Sequence, residues 1–327
     1  MRFAILGAGA IGAYVGAALS RGGSDVTLIA RGEHLRAMQG EGVRVLSPRG
    51  DFAARPAATD ELDAIGEADV VFIGLKAHSL PGLASRIGRA LRPGTAVIAA
   101  QNGIPWWYFQ SHGGPLDGTV LESVDPGGLI AAAIPPDAVI GCVIYCSTEI
   151  VEPGVIRHIE GTRFAIGEPD GTPSERCSDI SKAFAAGGLK CPVEPRIRDQ
   201  IWLKLIGNAA FNPVSALTGA TLGELGTMPQ MVNLLRAILE ECTAVSAPLG
   251  IELPVSIERR LEAGLAVGDH KTSMLQDLEA GKPLELACLT GAVIELADKL
   301  GVAVPHTTAV DACARLLGAL RQAGRRQ

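Results

Sequence analysis

The stretch RFAILGAGAIGAYVGAALS (residues 2–20) decides the reading of the chain's first half. Arg2 to Leu6 is a short apolar strand, Gly7-Ala8-Gly9-Ala10-Ile11-Gly12 turns the chain, and Ala13 to Ser20 continues with helical character. A Gly-x-Gly-x-x-Gly between a strand and a helix serves a physical need. The first glycine permits a tight turn, the second lets a diphosphate approach the backbone, and the third allows the helix to pack closely on the strand. The helix N-terminus then turns its first N–H groups and the positive end of its dipole toward phosphates. Met1-Arg2 followed by apolar residues to Ala18 also has the outline of a secretory signal. The strand–turn–helix reading fits better, because the rest of the chain continues the same pattern.

Working outward, Phe3 to Leu6, Val26 to Ala30, Val70 to Leu75 and Ala96 to Ala99 are apolar runs, each followed by turn or cap residues. Strands alternating with helices imply a parallel, doubly wound sheet. Gly42 to Leu46 and Asp51 to Ala54 flank Ser47-Pro48-Arg49-Gly50 and read as a small hairpin. From Ile140 to Ile166, β-branched residues are punctuated by Glu152-Pro153-Gly154, the pattern of antiparallel strands. After Arg196 the pattern becomes helical, with amphipathic stretches at Asp199 to Phe211, Met228 to Leu249, Val255 to Ala266, Leu286 to Leu300 and Thr307 to Leu320. The expected fold is α/β: an N-terminal Rossmann-type doubly wound sheet over residues 1–180, then an all-α domain over 181–327. The boundary falls between Gly167 and Arg196.

With 327 residues, two domains can each bury a core, and 47% hydrophobic against 20% charged residues excludes a disordered chain. A formal net charge of −6 disfavours nucleic acid and anionic membrane as partners, since both require a positive field; Arg321, Arg325 and Arg326 are too few to reverse it. The cysteines Cys142, Cys146, Cys177, Cys191, Cys242, Cys288 and Cys313 form no C-x-x-C pair and lie in apolar segments, the usage of a cytoplasmic protein. The histidines are dispersed, so no metal site is expected.

The end of the second strand selects the cofactor. An NAD site usually places an acidic residue there for the ribose hydroxyl, whereas Leu28-Ile29-Ala30 runs into Arg31, with Arg36 nearby. Arginine grips a 2′-phosphate bidentately, which favours NADP(H) over a reading of Arg31 as a solvated surface residue.

Lys204, Asn208 and Asn212 recur at a spacing of four, which puts them on one face of a helix whose other residues, Ile201 to Leu203, Leu205, Ile206 and Ala209 to Phe211, are apolar. A buried polar stripe must meet something polar, and a carboxylate or carbonyl of a substrate suits a lysine. The alternative is a solvated face. Read alone, Thr272 or Ser273 looks like a helix N-cap and Glu285 like an exposed carboxylate.

Taken together, Gly7 to Gly12, Arg31, Gly74-Leu75-Lys76, Gln101-Asn102-Gly103, Trp202 to Pro213, Thr272 to Asp277 and Glu285 resemble the ketopantoate reductase family from Arg2 to about Leu320. The resemblance implies NADPH-dependent reduction of ketopantoate (2-dehydropantoate) to pantoate in the pathway to pantothenate and coenzyme A. Lys204 takes the family's proton-donor position. Asn102 would contact nicotinamide and substrate; Asn208, Asn212 and Ser273 would hold the substrate's polar groups; Lys76, the Ser147 backbone and Glu285 would contact the cofactor. A lysine, with a reference pKa of about 10.4, is protonated at neutral pH and suited to protonate a developing alkoxide.

Leu222 departs from the family pattern, standing where a further substrate-binding asparagine falls. Ala287 replaces a common aspartate, and His270 a small amide. Trp106 and Trp107 read either as loop packing or as an apolar substrate pocket near the nicotinamide. The pocket reading, with Leu222, favours another branched or aromatic 2-oxo acid; a non-catalytic NADP-binding sensor is the alternative outside enzymes. A helical second domain with an apolar face also leads us to expect a homodimer.

Overall fold

Phe3, Ala4, Ile5 and Leu6 are all buried because the first strand lies inside a sheet, where both faces are covered and an unbroken apolar run is the consequence. The structure, a computed structural model, describes residues 1–324, so Arg325 and Arg326 lie outside the described residues. The strands are β1 (Arg2–Leu6), β2 (Asp25–Ile29), β3 (Val43–Leu46), β4 (Phe52–Ala54), β5 (Ala57–Thr59), β6 (Val70–Ile73), β7 (Ala96–Ala99), β8 (Val139–Glu152) and β9 (Val155–Gly167). The helices are α1 (Ala10–Arg21), α2 (Gly32–Glu41), α3 (Ala84–Ala90), α4 (Leu129–Ala133), α5 (Glu175–Ala186), α6 (Ile197–Thr218), α7 (Leu222–Leu225), α8 (Pro229–Ser246), α9 (Ile257–Leu265), α10 (Ser273–Glu279), α11 (Ala292–Leu300) and α12 (Pro305–Gln322).

All strands join one sheet in the order β4-β3-β9-β8-β7-β6-β1-β2-β5. Pairing is parallel from β5 through β2, β1, β6 and β7 to β8. The chain leaves β1 toward β2 on one side and later enters β6 on the other, so the loop after β1 sits at the point where the winding reverses, the usual ligand position in such sheets. The expected hairpin is β3–β4, antiparallel, and the expected antiparallel strands are β8 and β9. Beyond these expectations, β3 pairs in parallel with β9, which extends the sheet past its doubly wound part.

Two compact units divide the chain. The first comprises residues 1–101, 105–120 and 125–197; the second, residues 102–104, 121–124 and 198–327. The boundary expected after Ile180 falls inside α5. That helix stays with the first unit because Phe184 packs its ring against Phe3, Phe72 and Phe164, with centroids 6.3, 6.5 and 5.7 Å away.

The second unit is helical. Its five anticipated amphipathic stretches correspond to α6, α8, α9, α11 with a π-helical turn before it (Ala287–Gly291), and α12. Helix α6 runs on past Phe211 to Thr218, carrying Pro213 in its interior, and the short helices α7 and α10 lie outside those stretches. Cys142, Cys177, Cys191, Cys242 and Cys288 are buried thiols outside any disulfide; burial pushes Cys177 up to about 11 and Cys242 up to about 12, so both stay protonated.

A buried carboxylate ties α8 to α12. Glu241 accepts hydrogen bonds from the backbone N–H groups of His306 and Thr307 at 2.9 and 2.8 Å, and from the Thr307 hydroxyl at 2.7 Å, which serves the first turn of α12. Burial opposes its ionisation, but the donors on Thr307 and His306 prevail and hold Glu241 below the ordinary glutamate value of 4.5. Because the folded pKa is depressed, the carboxylate stabilises the fold above the unfolded value and ceases to do so as pH falls through the folded one. Glu241→Gln is therefore expected to cost about 1–3 kcal/mol in urea unfolding at pH 7. The gap from wild type should narrow as pH falls below 4.5; a gap unchanged at acid pH would remove the carboxylate from the explanation.

Candidate active site

The loop after β1 has the shape its glycines require. Gly7 takes φ +93°, and its N–H and that of Ala8 both donate to the Ile29 carbonyl at 3.1 and 3.0 Å, which locks the turn. A Cβ on Gly12 would stand 2.3 Å from the Gly7 carbonyl oxygen, so only glycine lets α1 start this close to the strand end. Gly9, by contrast, has nothing within 4 Å of a Cβ position, and it lines a pocket of about 530 Å³. Ala10, Ile11 and Gly12 form the first turn of α1, with no side-chain cap and no acidic residue in that turn, so the positive helix end is left for an anion. The loop fits a dinucleotide diphosphate on these grounds.

The same pocket is walled by Ile29, Ala30, Leu62, Leu75 and Leu83, with Arg31, His34, Asp60 and Arg86 as its charged or titratable residues. Arg31 sits at the N-cap position of α2. Arg36 instead lies 3.9 Å from Glu33, both side chains more than two-thirds exposed, away from the pocket lining. The second arginine is Arg86 on α3, which the sequence reading missed because no local signal joins α3 to the end of β2. His34 accepts from the Gly154 N–H at 3.0 Å, and burial lowers its pKa, keeping it neutral at pH 7.

Lys76 lies three residues past the end of β6, at the N-cap position of a 3-10 turn (Ala77–Ser79). Gln101 ties the ends of β6 and β7 together by donating to the Ile73 carbonyl at 2.8 Å. Ser147 lies on β8 beyond its last pairing with β7 at Gly141, where the register with β9 shifts. Neither Lys76 nor Ser147 lines the pocket described above.

In the second unit, Lys204 Nζ donates to Asn102 Oδ1 at 2.8 Å, and Asn102 Nδ2 donates to Glu285 Oε2 at 3.4 Å. A lysine only donates and a carboxylate only accepts, so the amide between them has one consistent orientation. Glu285 is 8% exposed rather than a surface carboxylate, and it aligns Asn102. Asn208 and Asn212 continue the Lys204 face of α6, half-buried and buried respectively, while Ile201, Trp202, Leu205, Ile206 and Ala209 fill the core. The polar stripe of a buried helix is thus present, and its lysine is held by an amide.

Thr272 is the N-cap of α10, its hydroxyl accepting from the Leu275 N–H at 3.2 Å, which leaves Ser273 exposed in the first turn. Leu222 and His270 prove to be neighbours: the Leu222 N–H donates to the His270 carbonyl at 3.0 Å. Ala287 opens the π-helical turn and is exposed. Trp106 and Trp107 are buried in the first unit, Trp107 against Gly141, where a Cβ would come within 2.7 Å of the ring. Loop packing accounts for both tryptophans, and the apolar-pocket reading loses its aromatic wall.

A glycine-turn nucleotide fold joined to a helical unit bearing an aligned lysine defines an oxidoreductase acting on a CH–OH group. Two family models match the chain: ketopantoate reductase PanE/ApbA over residues 3–171, and its C-terminal counterpart over 196–317. The chain belongs to the ketopantoate reductase family. It is 44% identical to a 2-dehydropantoate 2-reductase of Mesorhizobium japonicum, over 98% of this chain and 99% of that one. Among solved structures, a ketopantoate reductase candidate from Ralstonia solanacearum MolK2 superposes with a TM-score of 0.92 at 39% identity, covering 98% of both chains. D-mandelate dehydrogenase, solved with NADH and anilino(oxo)acetate, shares the fold at a TM-score of 0.83 and 19% identity, covering 98% of this chain and 99% of that one. Among the described residues no helix is long and apolar enough to cross a membrane.

Proposed function

We propose that the protein reduces 2-dehydropantoate to pantoate with NADPH, and so serves pantothenate and coenzyme A synthesis. The observation that carries this reading is the Lys204–Asn102–Glu285 alignment, which holds a proton donor at a fixed point of the helical unit. The bound nicotinamide supplies the hydride. Lys204 Nζ stabilises the oxygen of the reacting carbonyl as charge develops there and delivers a proton to it. Asn102 holds that ammonium in place. Asn208, Asn212 and Ser273 supply neutral donors to the substrate's carboxylate and hydroxyl oxygens. On the cofactor side, Gly7 to Gly12 receive the diphosphate and Arg31 and Arg86 grip the 2′-phosphate. Asp60 offers an acceptor to a ribose hydroxyl.

The test follows NADPH absorbance with purified protein and 2-dehydropantoate, with NADH in parallel. A kcat/KM of about 10⁴ M⁻¹s⁻¹ or above is the expected result. Arg31→Ala should raise the KM for NADPH on the order of 10- to 100-fold, the worth of a charge-assisted contact, and leave that for NADH unchanged. Equal KM values for NADPH in both proteins would remove Arg31 from the cofactor site.

The neighbouring Leu222 and His270 favour a second reading of the substrate. Both stand where the family resemblance places polar substrate contacts, and their backbones are hydrogen-bonded to each other, so one edge of the site is altered as a unit. A bulkier branched or aromatic 2-oxo acid suits that edge. A panel of such acids, compared by kcat/KM with 2-dehydropantoate, separates the two.

A further inference from the structure

The π-helical turn Ala287–Gly291, with the residues just before it, holds the loop of residues 102–104 at two points. Glu285 accepts from the Asn102 amide at 3.4 Å, and the Cys288 carbonyl accepts the Ile104 N–H at 2.9 Å. Gly103 lies between these two contacts, so close that a Cβ would stand 2.1 Å from the Cys288 carbonyl oxygen. Loop and turn belong to the same compact unit as Lys204, which donates to Asn102. The five-residue step of the turn shows in the Gly291 N–H, which donates to the Leu286 carbonyl at 2.9 Å. Such turns are rare and recur at functional sites.

The turn is itself held by α12. Thr290, fully buried, donates its hydroxyl to Asp311 Oδ1 at 2.5 Å, and Asp311, also buried, accepts from Arg315 Nε on its other oxygen at 2.6 Å. The Arg315 guanidinium lies against the backbone of the turn, since a Cβ on Gly291 would stand 2.6 Å from one of its terminal nitrogens. Helix α12 is anchored in its turn. Four residues before Asp311, Thr307 is bound by Glu241 of α8 through both its N–H and its hydroxyl. A buried carboxylate short of a donor is costly, so Asp311 keeps the Thr290 hydroxyl in place.

We propose that Asp311 is a positioning residue for the reaction: by way of Thr290 it fixes the π-helical turn, and the turn fixes the loop whose Asn102 aims Lys204. A displaced turn moves both anchors of that loop at once, and a misplacement of about 1 Å at a catalytic group costs on the order of 10² in rate. Asp311 acts through Thr290 and the turn, not on the substrate. The proposal rests on the reading of Lys204 as proton donor.

The test compares wild type with Thr290→Val, Thr290→Ser and Asp311→Asn, circular dichroism confirming that each is folded. Thr290→Val keeps the shape of the side chain and loses the hydroxyl, whereas Thr290→Ser keeps the hydroxyl and loses a methyl from a fully buried place. Positioning predicts that Thr290→Val and Asp311→Asn lower kcat on 2-dehydropantoate about 10- to 100-fold with the Kd for NADPH unchanged, and that Thr290→Ser stays within about threefold of wild type. Packing predicts the reverse order, because the serine leaves a cavity. Hydrogen exchange at the Ile104 amide reads the hold of the turn without turnover. It should quicken about 10-fold in Thr290→Val and Asp311→Asn and stay at the wild-type rate in Thr290→Ser. A Thr290→Ser protein as slow as Thr290→Val, or a Kd for NADPH that rises as kcat falls, would show a structural role and overturn the proposal. Unchanged kcat and exchange in Thr290→Val would show a turn that needs no pin, and overturn it too. A wild type that binds 2-dehydropantoate without reducing it would sink the functional reading alone, and an Ile104 exchange rate equal in wild type and Thr290→Val would sink this one alone.

Discussion

Lys204→Ala is expected to lower kcat by about 10²- to 10⁴-fold, the usual worth of a positioned general acid, while the Kd for NADPH, read by nucleotide fluorescence, stays near wild type. The split follows from placement. Lys204 lies on α6 with Asn102 as its partner, whereas the pocket proposed for the nucleotide is lined by residues of β1, β2, α2 and α3 and the loops that follow β1, β2, β5 and β6. Removing the ammonium leaves the developing alkoxide without its proton, and it also leaves the Asn102 carbonyl and Glu285 without the cation they align on. Lys204→Arg sharpens the test. A guanidinium keeps the positive charge and can still hold an anionic substrate, but it releases its proton far less readily than an ammonium and is a poor proton donor. We expect that variant to retain substrate binding and to recover little of kcat. If Lys204→Ala weakened NADPH binding as much as it slowed turnover, the lysine would be organising the fold and not the chemistry.

How much of this was legible in the sequence depends on how far apart the cooperating residues lie. The Gly7–Gly12 turn, the strands of the doubly wound part and the stripe Lys204–Asn208–Asn212 are local patterns, in which spacing along the chain fixes spacing in space. Arg31 is local too, since it directly follows β2. Glu285 read alone looks like a surface carboxylate and enters as a cofactor contact only through the family resemblance, because its partner, Asn102, is remote in sequence; the fold brings the two within hydrogen-bond distance. Arg86 escaped for the same reason, reaching the nucleotide pocket from a helix that carries no motif. Trp106 and Trp107 leave two readings open, loop packing and a pocket wall beside Asn102, and burial in the first unit decides for packing. The helical stretch read from the sequence stops at Phe211, yet α6 continues through Pro213 to Thr218; buried Phe211, Val214 and Ala216 hold the helix through a residue that lacks the N–H its ladder needs.

Gly103→Ala is expected to reduce kcat by about 10²-fold, the scale of an ångström-sized misplacement of a catalytic group. Gly103 takes φ +80°, where an L side chain is strained, and a Cβ there would stand 2.1 Å from the Cys288 carbonyl oxygen. That carbonyl cannot retreat easily. It accepts the Ile104 N–H at 2.9 Å, and it belongs to the π-helical turn Ala287–Gly291. The turn is pinned from behind by Thr290, whose hydroxyl donates to Asp311 at 2.5 Å, and Asp311 is itself held by Arg315 at 2.6 Å. Since the turn does not give, the loop must, and the first residue to move is Asn102. A shift there lengthens the 2.8 Å bond to Lys204 and loosens the weaker one to Glu285, so the proposed proton donor loses its aim while the glycine turn of the first unit is untouched. The variant should therefore bind NADPH normally, melt within a few degrees of wild type, since a strain of about 1–2 kcal/mol moves Tm little in a chain of this size, and turn over slowly. Normal turnover in a folded Gly103→Ala protein would mean that the π-helical turn yields after all, and that the alignment of Asn102 does not depend on it.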